Sequence, residues 1–173
     1  MTSRAVLVLG GARSGKSRRA LAIADTAPRR VLIATAEAFD AEMAQRIAAH
    51  RAEREGSGWL TIEAPVEIAR AVRDADGGAD DVIVVDCLTL WLTNLMLADH
   101  DLTAATDDLI ATLQRARSRV VLVSNEVGHG IVPETRLGRD FRDAQGRLNQ
   151  DMAAVSCRVE FMIAGLPLVL KGA

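Results

Sequence analysis

Twelve residues near the start of the chain constrain its fold more than any others: Val6-Leu7-Val8-Leu9-Gly10-Gly11-Ala12-Arg13-Ser14-Gly15-Lys16-Ser17. Four apolar residues run directly into a Gly-x4-Gly-Lys-Ser pattern, and a helix-forming stretch from Arg18 to Ala27 follows. A buried strand, a glycine turn and a helix start, in that order, make a phosphate-binding loop. Gly10, Gly11 and Gly15 let the backbone turn tightly and bring its N–H groups against phosphate oxygens. The helix that follows adds the partial positive charge of its N-terminus. Ala12, Arg13 and Ser14 complete the loop. In such a loop Lys16 reaches the β- and γ-phosphates and the Ser17 hydroxyl ligates Mg²⁺. The segment therefore reads as the site of a nucleoside triphosphate.

A length of 173 residues with 49% hydrophobic content suits one domain, residues 1–173, with a proper core. The net charge of −2 carries no bias toward polyanions, and three Phe, two Trp and no Tyr leave few platforms for stacking bases. Nucleic acid is not an expected partner. Met1-Thr2-Ser3-Arg4 leads straight into the first strand, so no signal peptide is expected, and no apolar run reaches the length of a membrane span. Cys87 and Cys157 have neither metal-ligand spacing nor a disulfide-rich setting, and both read as reduced core thiols of a cytoplasmic protein.

Val31-Leu32-Ile33-Ala34 reads as a second strand, with Thr35 and Glu37 just past its C-terminal end, where ligands bind in open parallel sheets. A helix is expected from about Ala41 to Glu55 with Asp40 as N-cap. Its apolar positions Phe39, Met43 and Ile47 continue, at about 100° per residue, into His50 and Arg54, with Arg46 close beside them. Either that face leaves the core and enters a cleft, or its basic groups complement the helix C-terminus. Gly56-Ser57-Gly58 breaks the helix, Trp59 to Glu63 reads as a short third strand, and Pro65 is expected to open a helix reaching about Asp74. Val82-Ile83-Val84-Val85-Asp86 is a β-branched run ending in an acid, the pattern of a strand that delivers Asp86 to Mg²⁺. Leu88 to Ala98 reads as a buried or subunit-facing helix, with Trp91 and Met96 as interface candidates beside plain core packing. An amphipathic helix over Thr103–Arg117 and a strand over Val120–Glu126 follow.

Val127 to Asp143 holds Gly128, Gly130 and Pro133, then Arg136, Arg139 and Arg142, and reads as a long functional loop. Its arginines form either a phosphate clamp or a solvated charged face. A helix over Ala144–Ser156 and strands over Val159–Ile163 and Leu168–Leu170 close the chain. Strands alternating with helices predict a three-layer α/β domain with a mainly parallel sheet, and the final pair, joined by Ala164-Gly165-Leu166-Pro167, predicts an antiparallel edge hairpin.

Several stretches together resemble one family. They are the Gly10–Ser17 loop, Ile33-Ala34-Thr35, the Asp40–Arg54 segment with Glu42-Met43, Arg46-Ile47 and His50-Arg51, Trp59 to Glu63, and Asn94-Leu95. To these add Asn125-Glu126-Val127-Gly128-x-Gly130-Ile131-Val132-Pro133-Glu134 and Phe141-Arg142-Asp143-x-x-Gly146-Arg147-x-Asn149-Gln150. Over nearly its whole length the chain is similar to the bifunctional adenosylcobinamide kinase / adenosylcobinamide-phosphate guanylyltransferases of cobalamin biosynthesis. The resemblance implies a RecA-like P-loop NTPase fold, a homotrimer and two reactions at one nucleotide site. ATP or GTP first phosphorylates adenosylcobinamide. GTP then gives its GMP moiety to that phosphate, through a covalent histidine intermediate, and pyrophosphate leaves.

By the same resemblance the histidine is His50, with Lys16 as the second catalytic group. The nucleotide contacts fall on Gly10 to Ser17, on Ala34, Thr35 and Ala36, on Arg51, Ala52, Glu53 and Arg54, and on Glu63 and Asp86. Some members of the family carry Glu where Asp86 stands, so reach toward metal or sugar differs. The residue chemistry suits the reaction. Neutral imidazole, with an ordinary pKa of about 6.5, is a good nucleophile near neutrality, and its attack divides a hard transfer into two steps. Two other readings fit the Walker elements: a monofunctional P-loop small-molecule kinase, and a RecA-like regulatory NTPase.

Overall fold

The computed structural model describes residues 3–37 and 58–172. The expected helix over Ala41–Glu55 and the site candidates His50, Arg51, Ala52, Glu53 and Arg54 lie outside the described residues. One seven-stranded sheet carries the fold. Its strands are β1 (Val6–Gly10), β2 (Arg30–Ala34), β3 (Trp59–Glu63), β4 (Val82–Asp86), β5 (Arg119–Asn125), β6 (Arg158–Ile163) and β7 (Leu166–Lys171). They lie in the order β3-β2-β4-β5-β1-β6-β7, all neighbours parallel except the antiparallel β6–β7 pair. The five described helices are α1 (Lys16–Ala24), α2 (Ile68–Ala75), α3 (Leu88–Leu97), α4 (Leu102–Arg115) and α5 (Arg136–Val155).

Alternation along the strands sorts side chains into two cores. Leu7, Ile33, Ile83 and Leu122 pack with α2–α5 on one face; Val8, Leu32, Val84 and Val123 pack with Ala20 and Ala24 of α1 on the other. Apolar side chains on both faces explain why β1, β4 and β5 read as unbroken apolar runs. Helices on both faces of a mainly parallel sheet make the three-layer α/β architecture. Trp91, 1% exposed, is core.

Four boundaries depart from the sequence reading. The first helix starts at Lys16, inside the glycine motif, and stops before Pro28, which disfavours helical backbone in the residue ahead of it. The helix after Pro65 begins only at Ile68. The Pro65 and Val66 carbonyls accept instead from Asn94 Nδ2 (2.9 Å) and Trp91 Nε1 (2.7 Å) of α3. The last helix is longer than expected and begins at Arg136, where the Thr135 hydroxyl accepts from Gly138 N at 3.1 Å. Its first turns are polar because they lie on the surface, and polarity was the property that suggested a loop. Finally, the closing hairpin turns on two residues, not four. Ala164 (φ 51°) and Gly165 (φ 82°) both take left-handed backbone, which matches the twist of paired strands. Cys87 is buried as expected, but Cys157 is exposed at the lead into β6, its thiol donating to the Ala5 carbonyl at 3.2 Å.

Glu160 sits on the α1 face of β6 with its side chain fully buried. Arg19 of α1 grips it with two bonds (2.7 and 2.8 Å), and Arg158 adds a third at 2.7 Å. These hydrogen bonds, Arg19's above all, outweigh burial and hold the Glu160 carboxyl at about 2, against an ordinary 4.5. A carboxylate depressed in the folded state stabilises fully above its unfolded value and loses that contribution as pH falls toward the folded one. We therefore expect Glu160→Gln to cost about 2–3 kcal/mol at neutral pH. The variant should also flatten the loss of stability between about pH 4.5 and 2, read as urea midpoints against pH.

Candidate functional site

β1 feeds its last residue into the glycine loop, and the loop's shape follows from three unusual backbone positions. Gly10 has φ 154°, and a Cβ there would lie 2.6 Å from Ser14 Oγ and 2.7 Å from the Met162 carbonyl. Arg13 (φ 56°) and Gly15 (φ 97°) are left-handed, turning successive N–H groups toward one side. Gly15 caps α1 with no side-chain acceptor, so the first-turn N–H groups face outward without a capping side chain. Ser14 Oγ is buried and has no hydrogen-bond partner among the described residues. Lys16 is 8% exposed and its Nζ donates to the Gly11 carbonyl at 2.5 Å. Burial lowers the Lys16 pKa, and the nearby Asp86 charge acts in the opposite direction. Ser17 is exposed at the mouth. Each feature suits a polyanion with several oxygens.

Parallel register brings the other candidates to the same rim. Ala34 pairs with Glu63 on one side and Asp86 on the other, so the tips of β2, β3 and β4 end level. Glu63 is exposed there, and Ala36 is partly exposed. Thr35 is fully buried, and its hydroxyl both donates to the Cys87 carbonyl and accepts from Cys87 N, each at 2.8 Å. Thr35 thus ties the β2 tip to the β4 tip and fixes the direction in which Asp86 leaves the sheet. Burial, then the neighbouring Asp86 charge, pushes the Cys87 thiol up to about 11, so it stays a neutral packing group.

The β5 tip is held from below by a buried polar network that sequence reasoning missed. The Ser124 hydroxyl donates to Asn149 Oδ1 (2.7 Å), Gln145 Nε2 donates to both Ser124 Oγ and Asn149 Oδ1 (3.0 Å each), and Asn149 Nδ2 donates to the Asn125 carbonyl (3.0 Å). Glu126 N then donates to the Gly10 carbonyl at 3.1 Å, which couples this tip to the phosphate loop. The signal was a Gln and an Asn four apart on one face of a helix, a spacing that points both side chains the same way. The arginines after it divide in role. Arg142 donates to the Gly128 carbonyl (2.9 Å), Arg139 to those of Pro133 and Glu134, and Arg136 pairs with Asp140 on the surface.

The chain matches the family described as cobinamide kinase / cobinamide phosphate guanyltransferase over residues 6–170. The chain belongs to this family. Within it, the protein is 47% identical to the bifunctional adenosylcobalamin biosynthesis protein CobP of Pseudomonas aeruginosa, with 96% of each chain covered. It is 42% identical to the bifunctional adenosylcobalamin biosynthesis protein CobU of Salmonella typhimurium, with 96% of this chain and 99% of that one covered. The cobinamide kinase / guanyltransferase family is one of enzymes, and this chain is one. Among solved structures, an ATPase from the type III secretion system of pathogenic bacteria superposes with a TM-score of 0.55 at 11% identity. That match covers 95% of this chain and 56% of that one, and it shows the shared RecA-like P-loop fold alone.

The oxygen donors suit Mg²⁺, a hard cation held by one or two protein oxygens together with substrate phosphates. Ser17 at the loop mouth and Asp86 at the β4 tip would supply them. Among the described residues, no helix is long and apolar enough to cross a membrane.

Proposed function

We propose that this chain, as one cytoplasmic catalytic domain, carries out both reactions of its family. It phosphorylates the hydroxyl of adenosylcobinamide with ATP or GTP, then transfers GMP from GTP through a GMP–His50 intermediate, giving adenosylcobinamide-GDP and pyrophosphate. The observation that carries this reading is similarity along almost the whole chain to relatives named as bifunctional in adenosylcobalamin biosynthesis. The phosphate loop supports it, because both reactions need a triphosphate held by fixed N–H groups and a cation. In the first, the acceptor oxygen attacks the γ-phosphorus and the bond to the β-bridging oxygen breaks. In the second, an imidazole nitrogen of His50 attacks the α-phosphorus and the bond to pyrophosphate breaks. The acceptor phosphate then displaces the imidazole. Lys16 neutralises charge on the β- and γ-oxygens, Arg51 and Arg54, close to His50 in the sequence, add to that neutralisation, and the rim from Ala34 to Ala36 with Glu63 bounds the nucleotide. Ser17 and Asp86 would hold Mg²⁺, which would supply further charge neutralisation of the phosphates.

A homotrimer belongs to the same reading. The outer strand β7 leaves Leu166, Leu168, Val169 and Leu170 exposed, an apolar edge of the kind that subunits cover. The defining experiment supplies adenosylcobinamide with γ-labelled and then α-labelled GTP. Label should enter the acceptor in both cases; acceptor labelling from the γ-position alone would make the chain a monofunctional kinase, and phosphate release alone a regulatory NTPase. Asp86→Asn, nearly isosteric, should weaken activity across a Mg²⁺ titration with the melting temperature little changed. An unaltered Mg²⁺ dependence would remove Asp86 from the metal site.

A further inference from the structure

The phosphate loop borders two sides of the sheet, and the described rim candidates occupy only one of them. Asp86, Thr35, Ala34 and Glu63 end β4, β2 and β3, which lie beyond β5 on one side of β1. On the other side, the β6–β7 turn meets the loop directly. Gly165 N donates to the Ser14 carbonyl at 3.1 Å, and a Cβ on Gly15 would lie 3.3 Å from Gly165 Cα. Between loop and turn opens a cavity of about 640 Å³ lined by Arg13, Lys16, Arg18, Ala164 and Gly165 among others. Arg18 is exposed in the first turn of α1, with Nη2 3.1 Å from the position of a Cβ on Gly165 and 3.8 Å from one on Gly15. Its neighbour Arg19 is committed to Glu160, whereas among the described residues no carboxylate pairs with Arg18.

The direction of the bound triphosphate follows from charge. A cation held by Ser17 and Asp86 would neutralise the phosphates at the reacting end, so the γ end would point toward β4. With the phosphate chain laid along the loop, its α end would then point the opposite way, toward the β6–β7 turn. We infer that Arg18 is a further nucleotide-binding residue, whose guanidinium takes the α-phosphate of the triphosphate in the phosphoryl-transfer step, with the Ala164–Gly165 turn walling the nucleoside end. This rests on the kinase half of the proposed function. A planar fork of donors on a phosphate oxygen is the preferred geometry for such a contact, and small residues at 164 and 165 leave it room.

The α-phosphate does not change charge while the γ-phosphoryl group moves, so Arg18 contributes to binding equally before and during the reaction. Arg18→Ala should raise KM for the triphosphate about tenfold or more and lower kcat less than about threefold, the effect of losing one charge-assisted bond. Magnesium pyrophosphate, tied by its metal to the Ser17–Asp86 end, should inhibit the variant and the wild type alike, within about twofold. Arg18→Lys should recover part of the lost affinity. A KM within about twofold of an active wild type overturns the inference alone. So does a parallel loss of pyrophosphate affinity, which would mean that Arg18 merely holds the loop in shape. A wild-type protein without phosphoryl transfer overturns the kinase reading and this inference with it.

Discussion

Lys16→Ala is expected to cut both reactions by on the order of 10²–10³ or more, the scale set by removing one preorganised electrostatic group. The side chain is buried at the start of α1, and its ammonium already lies against the Gly11 carbonyl, inside the turn that surrounds the phosphates. Little rearrangement separates that position from a phosphate oxygen, and the cation therefore acts without first being ordered. Its loss should leave the fold in place. α1 remains anchored by Ala20 and Ala24 in the core and by the Arg19–Glu160 pair. Both steps should fall together, measured as γ-label and α-label reaching the acceptor, with the melting temperature nearly unchanged. Near-wild-type rates in both would end the idea of one shared phosphate site.

The residues explain why some of this was legible in the sequence and some was not. Gly10, Gly15 and Lys16 announce themselves because left-handed backbone and a phosphate cradle admit few substitutes. The strands were legible because a sheet covered on both faces requires apolar residues at every position, as in Val82–Val85. The first half of α5 was not, because Leu137 and Phe141 stand alone among Arg136, Arg139, Asp140 and Arg142, too sparse a stripe to display its period. Thr35 was legible as the residue just past the β2 tip, yet its bonds to Cys87 depend on a parallel register that no local pattern encodes. The same holds for Glu160, which reads as a strand's polar residue until Arg19, 141 positions away, closes on it. Long-range polar contacts are set by topology, and topology is where local sequence signals end.

The second large effect concerns His50. His50→Ala should abolish GMP transfer, a loss on the order of 10³ or more, because the proposed covalent route runs through that imidazole. Direct γ-phosphoryl transfer uses no imidazole, so the kinase step should persist at least in part. That split distinguishes a nucleophile from a structural residue, whose removal would depress both steps in proportion. The other two histidines are both exposed. His100 is exposed after α3, and His129 is exposed in the loop beyond β5 with its ring 6.3 Å from Phe161. Lys16→Ala and His50→Ala therefore give opposite patterns: one variant loses both reactions, the other only the second.

The central claim is a covalent GMP on His50, and one measurement reads it directly. The purified protein is incubated with Mg²⁺ and GTP labelled in the α-phosphate, quenched, and digested for mass spectrometry, beside a γ-labelled control. The expected result is an α-label adduct that is stable to alkali and lost in acid, as a phosphoramidate is, mapping to His50 and absent from His50→Ala. No stable label should come from the γ-position. An adduct that persists in His50→Ala, or that maps to His100 or His129, would contradict the account, as would GMP reaching the acceptor with no adduct formed.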